Sequence, residues 1–152
     1  MRLKKNLYGR WYLCGPMTGI KSFNIPLFDE AAANLRAHGF EVVSPAELDD
    51  PATRVAALAS KDGKPGEGSA NGETWGDFLS RDVKLLADGK FTGIVLLPTW
   101  TASRGALLET LVAFLHGLAF REYDMLDGVS CSVSKYYVYG QWTTRLWRKI
   151  TL

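Results

Sequence analysis

A single acidic residue, Glu109, interrupts the apolar and small-residue run "PTWTASRGALLETLVAFLHGLAF" from Pro98 to Phe120. A buried carboxylate costs free energy unless it is paired or used, so it marks either a narrow wet stripe on a helix or a site of chemistry. Few other positions in this run are polar enough to define a wet face. Ser103 stands six residues earlier, where the helix should open. A serine there caps backbone N–H groups. The same place is also a ready anion site, because free N–H groups, the helix dipole, the hydroxyl and the neighbouring Arg104 point to one spot. Six residues of helix rise about 9 Å, close to the distance from the 5′ end of a sugar phosphate to its anomeric carbon.

Asp82, in "SRDVKLLAD", offers a second carboxylate. A surface ion pair with Arg81 or Lys84 is the ordinary account of it. If Asp82 instead faces Glu109, the two become equipment for cleaving a glycosidic bond: one carboxylate attacks or stabilises the anomeric carbon while the other manages sugar hydroxyls or protons. The loop "CGPMTG" (14–19) adds Gly15, where backbone can approach a ligand, and Pro16, which sets the turn. It has neither the spaced glycines of a dinucleotide fingerprint nor the Gly-Lys-Ser/Thr of a Walker loop, so nicotinamide-cofactor and ATP readings lose their main support.

The elements that must position these groups follow from periodicity. "RWYLCG" (Arg10–Gly15) reads as a first strand ending at a Gly-Pro turn. "FNIPLFDEAAANLRAHG" reads as an amphipathic helix, with Asn24 as its N-cap, Pro26 in the first turn and Gly39 at its end. "FEVVSP" (Phe40–Pro45) is a second strand, which makes a βαβ start. Residues near 49–73 are expected to form a surface loop, either a lid or a tolerated insertion. Thr74–Asp88 is a helix with Trp75, Phe78, Leu79, Val83 and Leu86 on its apolar face, and Phe91–Pro98 is the central buried strand. A helix over about 104–120 follows, then a weak strand "FREYD", and "SCSVSKYYVYGQW", whose period-two character predicts an edge strand or a subunit arm within a C-terminal arm near 125–152.

This order predicts one α/β domain: a doubly wound, mostly parallel sheet of about four or five strands flanked by helices, Rossmann-like or flavodoxin-like. Such sheets bind small molecules beyond the carboxyl ends of their strands. Gly15–Gly19, the turn after Val43 and Thr99–Ser103 should therefore converge on one crevice.

The 152 residues suffice for a sizeable core, and 47% hydrophobic with 22% charged residues is an ordinary globular composition. A net charge of +2 makes no electrostatic case for nucleic acid. The basic start "MRLKKNLYGRWYLCG" lacks the apolar core of a signal peptide, and Arg104, Glu109 and His116 interrupt the most apolar stretch, so a cytoplasmic protein without a membrane span is expected. Cys14 and Cys131 lack metal-ligand spacing and are expected to be buried free thiols. With His38 and His116 as the only histidines, no zinc or other metal site is expected.

Taken in order, "YLCGPMTG", "FNIPLFDEAAANLRAHGFEVVSPAEL", "WGDFLSRDVKLL" and "IVLLPTWTASRGALLE" resemble the nucleoside 2-deoxyribosyltransferase superfamily, and its small phage-type members most. The resemblance covers about residues 11–119. It implies that Glu109 is the nucleophile at C1′ of a deoxyribose, that Asp82 holds the sugar or helps the base leave, and that Tyr12 lies near both. It implies that Gly15, Pro16, Met17 and Gly19 form the first substrate loop, and that Ser103, with Arg104 and Gly105, occupies the position where transferases carry an acid and deoxynucleoside 5′-monophosphate N-glycosidases carry serine. An acid would repel a phosphate, so Ser103 favours 5′-monophosphates. Trp100 either stacks on the base or packs at its loop, and Phe23 and Asn24 are candidates for the pocket wall. The expectation is an enzyme without cofactor that cleaves the N-glycosidic bond of a 2′-deoxynucleotide, releasing the base or passing the sugar to another base. The alternative is a protein that binds such a nucleotide without cleaving it. The exposed aromatic stretch "KYYVYGQW" suggests a homodimer or higher homo-oligomer.

Overall fold

The computed structural model describes residues 8–151; the basic start of the chain (1–7) and Leu152, both part of the readings above, lie outside the described residues. Five strands form one sheet in the order β2-β1-β3-β4-β5. They are β1 (Arg10–Cys14), β2 (Glu41–Val43), β3 (Gly93–Leu96), β4 (Ala119–Asp124) and β5 (Val129–Val133). The first four are parallel, and β5 runs antiparallel along the β4 edge. This is the expected α/β, doubly wound, mostly parallel sheet.

Alternation along the strands divides the core into two layers. Trp11, Leu13, Val42, Val95 and Tyr123 pack with Phe28, Ala31, Ala32 and Leu35 of α1 (Ile25–Ala37). Tyr12, Cys14, Ile94, Leu96 and Phe120 face the other way, onto Leu86 of α3 (Trp75–Asp88), Ala106 and Ala113 of α4 (Arg104–Leu115), and Val138 of α5 (Lys135–Thr151). β1 and β3 are buried along nearly their whole length, as strands covered on both faces must be. The strand order reverses between β1 and β3, and that switch point is where the crevice opens.

Three expectations are corrected. The 49–73 stretch is not one loop: after a turn at Pro45–Glu47 it forms α2 (Pro51–Ala59). Asp50 caps α2 by accepting from the N–H groups of Ala52 (3.0 Å) and Thr53 (3.1 Å), and Pro51 occupies the first turn. The C-terminal stretch is an edge strand only as far as Val133; from Lys135 it is helix, because Ser134 accepts from Tyr136 N–H and starts the turn. Cys14 is buried as expected, but Cys131 on β5 is exposed. Among the described residues no helix is long and apolar enough to cross a membrane.

Candidate functional site

The pleat of β1 turns Tyr12 toward α4, beneath Glu109. Glu109 sits in the second turn of α4 and is only 7% exposed. α4 is apolar nearly all round, so its carboxylate meets no wet face; it points between α3 and α4 into the crevice. Ser103 opens α4 as its N-cap, accepting from Ala106 N–H at 3.2 Å. Asp82 comes from α3 and is itself nearly buried.

The crevice has a volume of about 880 Å³ including its mouth. Gly15, Met17, Asp82, Ser103, Gly105 and Glu109 line it, together with Pro45 after β2, so all three strand-end segments meet there. Gly15 is required by packing, since a Cβ there would stand 2.8 Å from the Leu97 side chain.

Other sequence-selected residues lie behind or beside the lining. Tyr12 is fully buried below it. Pro16 is buried behind the wall, and its carbonyl accepts from Asn24 Nδ2 at 2.9 Å. Asn24 therefore does not cap α1 with its side chain: it is left-handed (φ 58°) and ties the loop back instead. Gly19 (φ 85°) donates to Gly63 O at 2.9 Å, joining the first loop to the chain after α2. Trp100 packs in the core at 5% exposure, so the packing alternative is the one seen. Arg104 lies 4.8 Å over the ring of Trp75, a crevice residue.

Part of the wall was not foreseen. Asp49, Glu73, Ser69 and Gly68 reach the crevice from the segment after β2, and Phe78 and Leu79 of α3 face it rather than the core alone. Phe23 also lines it, within the left-handed run Ser22, Phe23, Asn24 (φ 54°, 49°, 58°). Such backbone persists only when its surroundings over-determine it. Here Ser22 N–H donates to Ser60 O (2.9 Å) and Ser22 Oγ to Leu58 O (2.8 Å). Arg81 also lines the crevice. Its Nε donates to Asp82 Oδ1 at 2.8 Å and its Nη1 to Asp49 Oδ1 at 2.6 Å. Only the Arg81–Asp82 neighbourship was visible in the sequence.

The electrostatics follow from burial. Desolvation first, then the charge of Asp82, push the Glu109 carboxyl up to about 8, against the opposing pull of Tyr12 and Arg81. Desolvation also raises Asp82, while Arg81 holds it down. The Tyr12 hydroxyl and Glu109 Oε2 are buried without a well-formed hydrogen bond, yet they lie close enough that each shifts the other: burial, then Glu109, drives the phenol well above its ordinary value. Cys14 is raised by burial and by the same two carboxylates. Near neutral pH the cluster thus retains a proton that two ordinary carboxylic acids would have lost. Among the described residues no cluster of three or more His, Cys, Asp or Glu is arranged to hold a metal.

A family model described as a domain of unknown function, DUF4406, matches residues 9–120, from the start of β1 into β4, and so takes in the whole crevice. No curated protein and no solved structure matches the chain.

Proposed function

We propose that this chain, which belongs to the DUF4406 family, cleaves the N-glycosidic bond of a 2′-deoxynucleotide, with a 5′-monophosphate as the substrate form. The observation that carries this reading is Glu109 itself: a buried carboxyl group at the crevice floor whose Oε2 has no partner, set with Asp82 and Tyr12 where a ligand would complete it. The start of α4, with Ser103 and Gly105 on the wall and Arg104 beside them, suits the 5′ end of the sugar.

The retained proton gives the reaction its balance. Departure of the base breaks the C1′–N bond, and the base must gain a proton; attack by Glu109 forms a C1′–O bond and requires Glu109 to be without one. The cluster holds what both halves need if, in the reactive form, its proton sits on Asp82 and Glu109 is ionised. Asp82 then protonates the base as Glu109 bonds to C1′. Water, or a second base, later opens the glycosyl ester. The test is chromatographic detection of free base from deoxynucleoside 5′-monophosphates and deoxynucleosides, with wild type beside Glu109→Ala. Release that vanishes in the variant supports the reading, and no release from any substrate overturns it.

One observation favours a second reading. A protonated Glu109 is a hydrogen-bond donor, suited to holding a sugar oxygen in a protein that binds without cleaving. Stoichiometric nucleotide binding with no base produced would select it. The same proposal includes self-association through the exposed aromatic side of α5 and places the protein in the cytoplasm.

A further inference from the structure

Two side chains outside the proposed chemistry bear on the proton that it uses. Arg81 lies between Asp49 and Asp82, with side-chain exposures of 32%, 8% and 11% respectively. Its bonds leave from two different edges of the guanidinium, Nε to Asp82 and Nη1 to Asp49, so the planar group cannot turn without losing one of them. Nη2 faces Pro45 O at 3.4 Å, and the Phe78 ring lies 5.5 Å from Cζ. Among the described residues Arg81 is the only lysine or arginine on the crevice wall. Because Oδ1 of Asp82 is taken by Arg81, Oδ2 is the oxygen left for a substrate.

Resting on the glycosidase reading above, we propose that Asp49 and Arg81 are a positioning pair: Asp49 locks the Arg81 guanidinium, and Arg81 orients Asp82 and sets how the shared proton divides between Asp82 and Glu109. The groups facing that proton are Tyr12 and Cys14 from β1, Arg81 and Asp82 from α3, and Asp49 from the turn before α2. Arg81 is the only cation among them. It draws both carboxyls toward ionisation, and Asp49 opposes it at Asp82. The segment after β2 is thereby coupled to the reacting groups although it touches neither Glu109 nor Tyr12 through any hydrogen bond seen here.

A purely structural ion pair would lower stability when broken but would not move a titration in opposite directions. The experiment is urea unfolding from pH 3 to 9 of wild type, Arg81→Gln and Asp49→Asn, each with and without Glu109→Gln and, separately, Asp82→Asn, so that the two differences report the proton at Glu109 and at Asp82. It needs no substrate, so it judges the pair even if the glycosidase reading fails. Arg81→Gln removes the cation and is expected to move the Glu109 midpoint upward by about one pH unit. Asp49→Asn keeps an acceptor for Nη1, removes the charge that opposes Arg81 at Asp82, and is expected to move the Asp82 midpoint downward. Arg81→Lys keeps the charge and loses the fork: its midpoint stays near wild type, while in the base-release assay kcat falls more than KM changes. Midpoints that stay put in both isosteric variants, or move the same way, overturn the pair. Full wild-type kcat in Arg81→Lys overturns the orienting role.

Discussion

Glu109 exchanges stability for a usable proton. Its carboxyl binds a proton more tightly in the folded chain than in the unfolded one, where the ordinary value is 4.5, against about 8 when folded. Between those limits the folded state holds the extra proton, so stability is greatest below about pH 4.5 and is lost as pH rises toward about 8. At about 1.4 kcal/mol per pH unit the loss is several kcal/mol. Glu109→Gln, which carries no such group, is therefore expected to be more stable than wild type at pH 8 by about 3–5 kcal/mol and nearly equal to it at pH 4.5, as measured by denaturant unfolding. Catalysis should show the same proton from the other side. If the base leaves with it, the rate of base release falls as pH rises through about 8, and a rate that climbs steadily past pH 9 would mean that the base takes its proton elsewhere.

At the level of elements, α4 opens at the one serine that both caps it and lines the crevice. Ser103→Ala removes the acceptor of Ala106 N–H and is expected to cost about 1 kcal/mol in unfolding free energy. A phosphate held there would make KM rise for monophosphates and not for deoxynucleosides. The segment after α2 forms the opposite wall. A Cβ at Gly68 would stand 2.7 Å from the Phe23 ring, and that ring cannot retreat easily because its backbone is pinned in the left-handed region. Gly68→Ala is accordingly expected to lower the unfolding free energy by about 1–3 kcal/mol and to raise KM several-fold; an unchanged KM would show that this wall does not meet the substrate.

For the molecule as a whole, the described residues present one side rich in exposed apolar groups. Tyr136, Tyr139 and Trp147 of α5 and Leu115 of α4 are 74%, 52%, 67% and 73% exposed. A patch of this kind favours contact between copies. Light scattering is expected to give a mass above that of one chain, and Tyr136→Glu with Trp147→Glu is expected to return it to one chain without loss of helix content. The crevice lies on the α3–α4 side of the same sheet face that α5 covers, so a change in base release on dissociation would link assembly to the site.

Periodicity and punctuation by themselves determined most of the order of strands and helices, the parallel sheet, and the meeting of the Gly15 loop with the Ser103 start of α4, because each follows from short-range pattern or from strand ends that a doubly wound sheet must bring together, whereas Asp82 was joined to Glu109 only by the family resemblance. They failed where short-range pattern is ambiguous. α2 was merged with the polar run that follows it although Asp50-Pro51 announces a helix start, and the alternation after Val133 stopped meaning strand once Ser134 opened α5. Tertiary structure alone decided what the carboxylates are. Burial of Glu109 against Tyr12, the placing of Asp49 beside Arg81 from 32 residues away, and the retreat of Trp100 into the core all depend on which surfaces meet. No local pattern encodes a desolvation energy, and the proton held near neutral pH is a property of the packed crevice rather than of any residue in it.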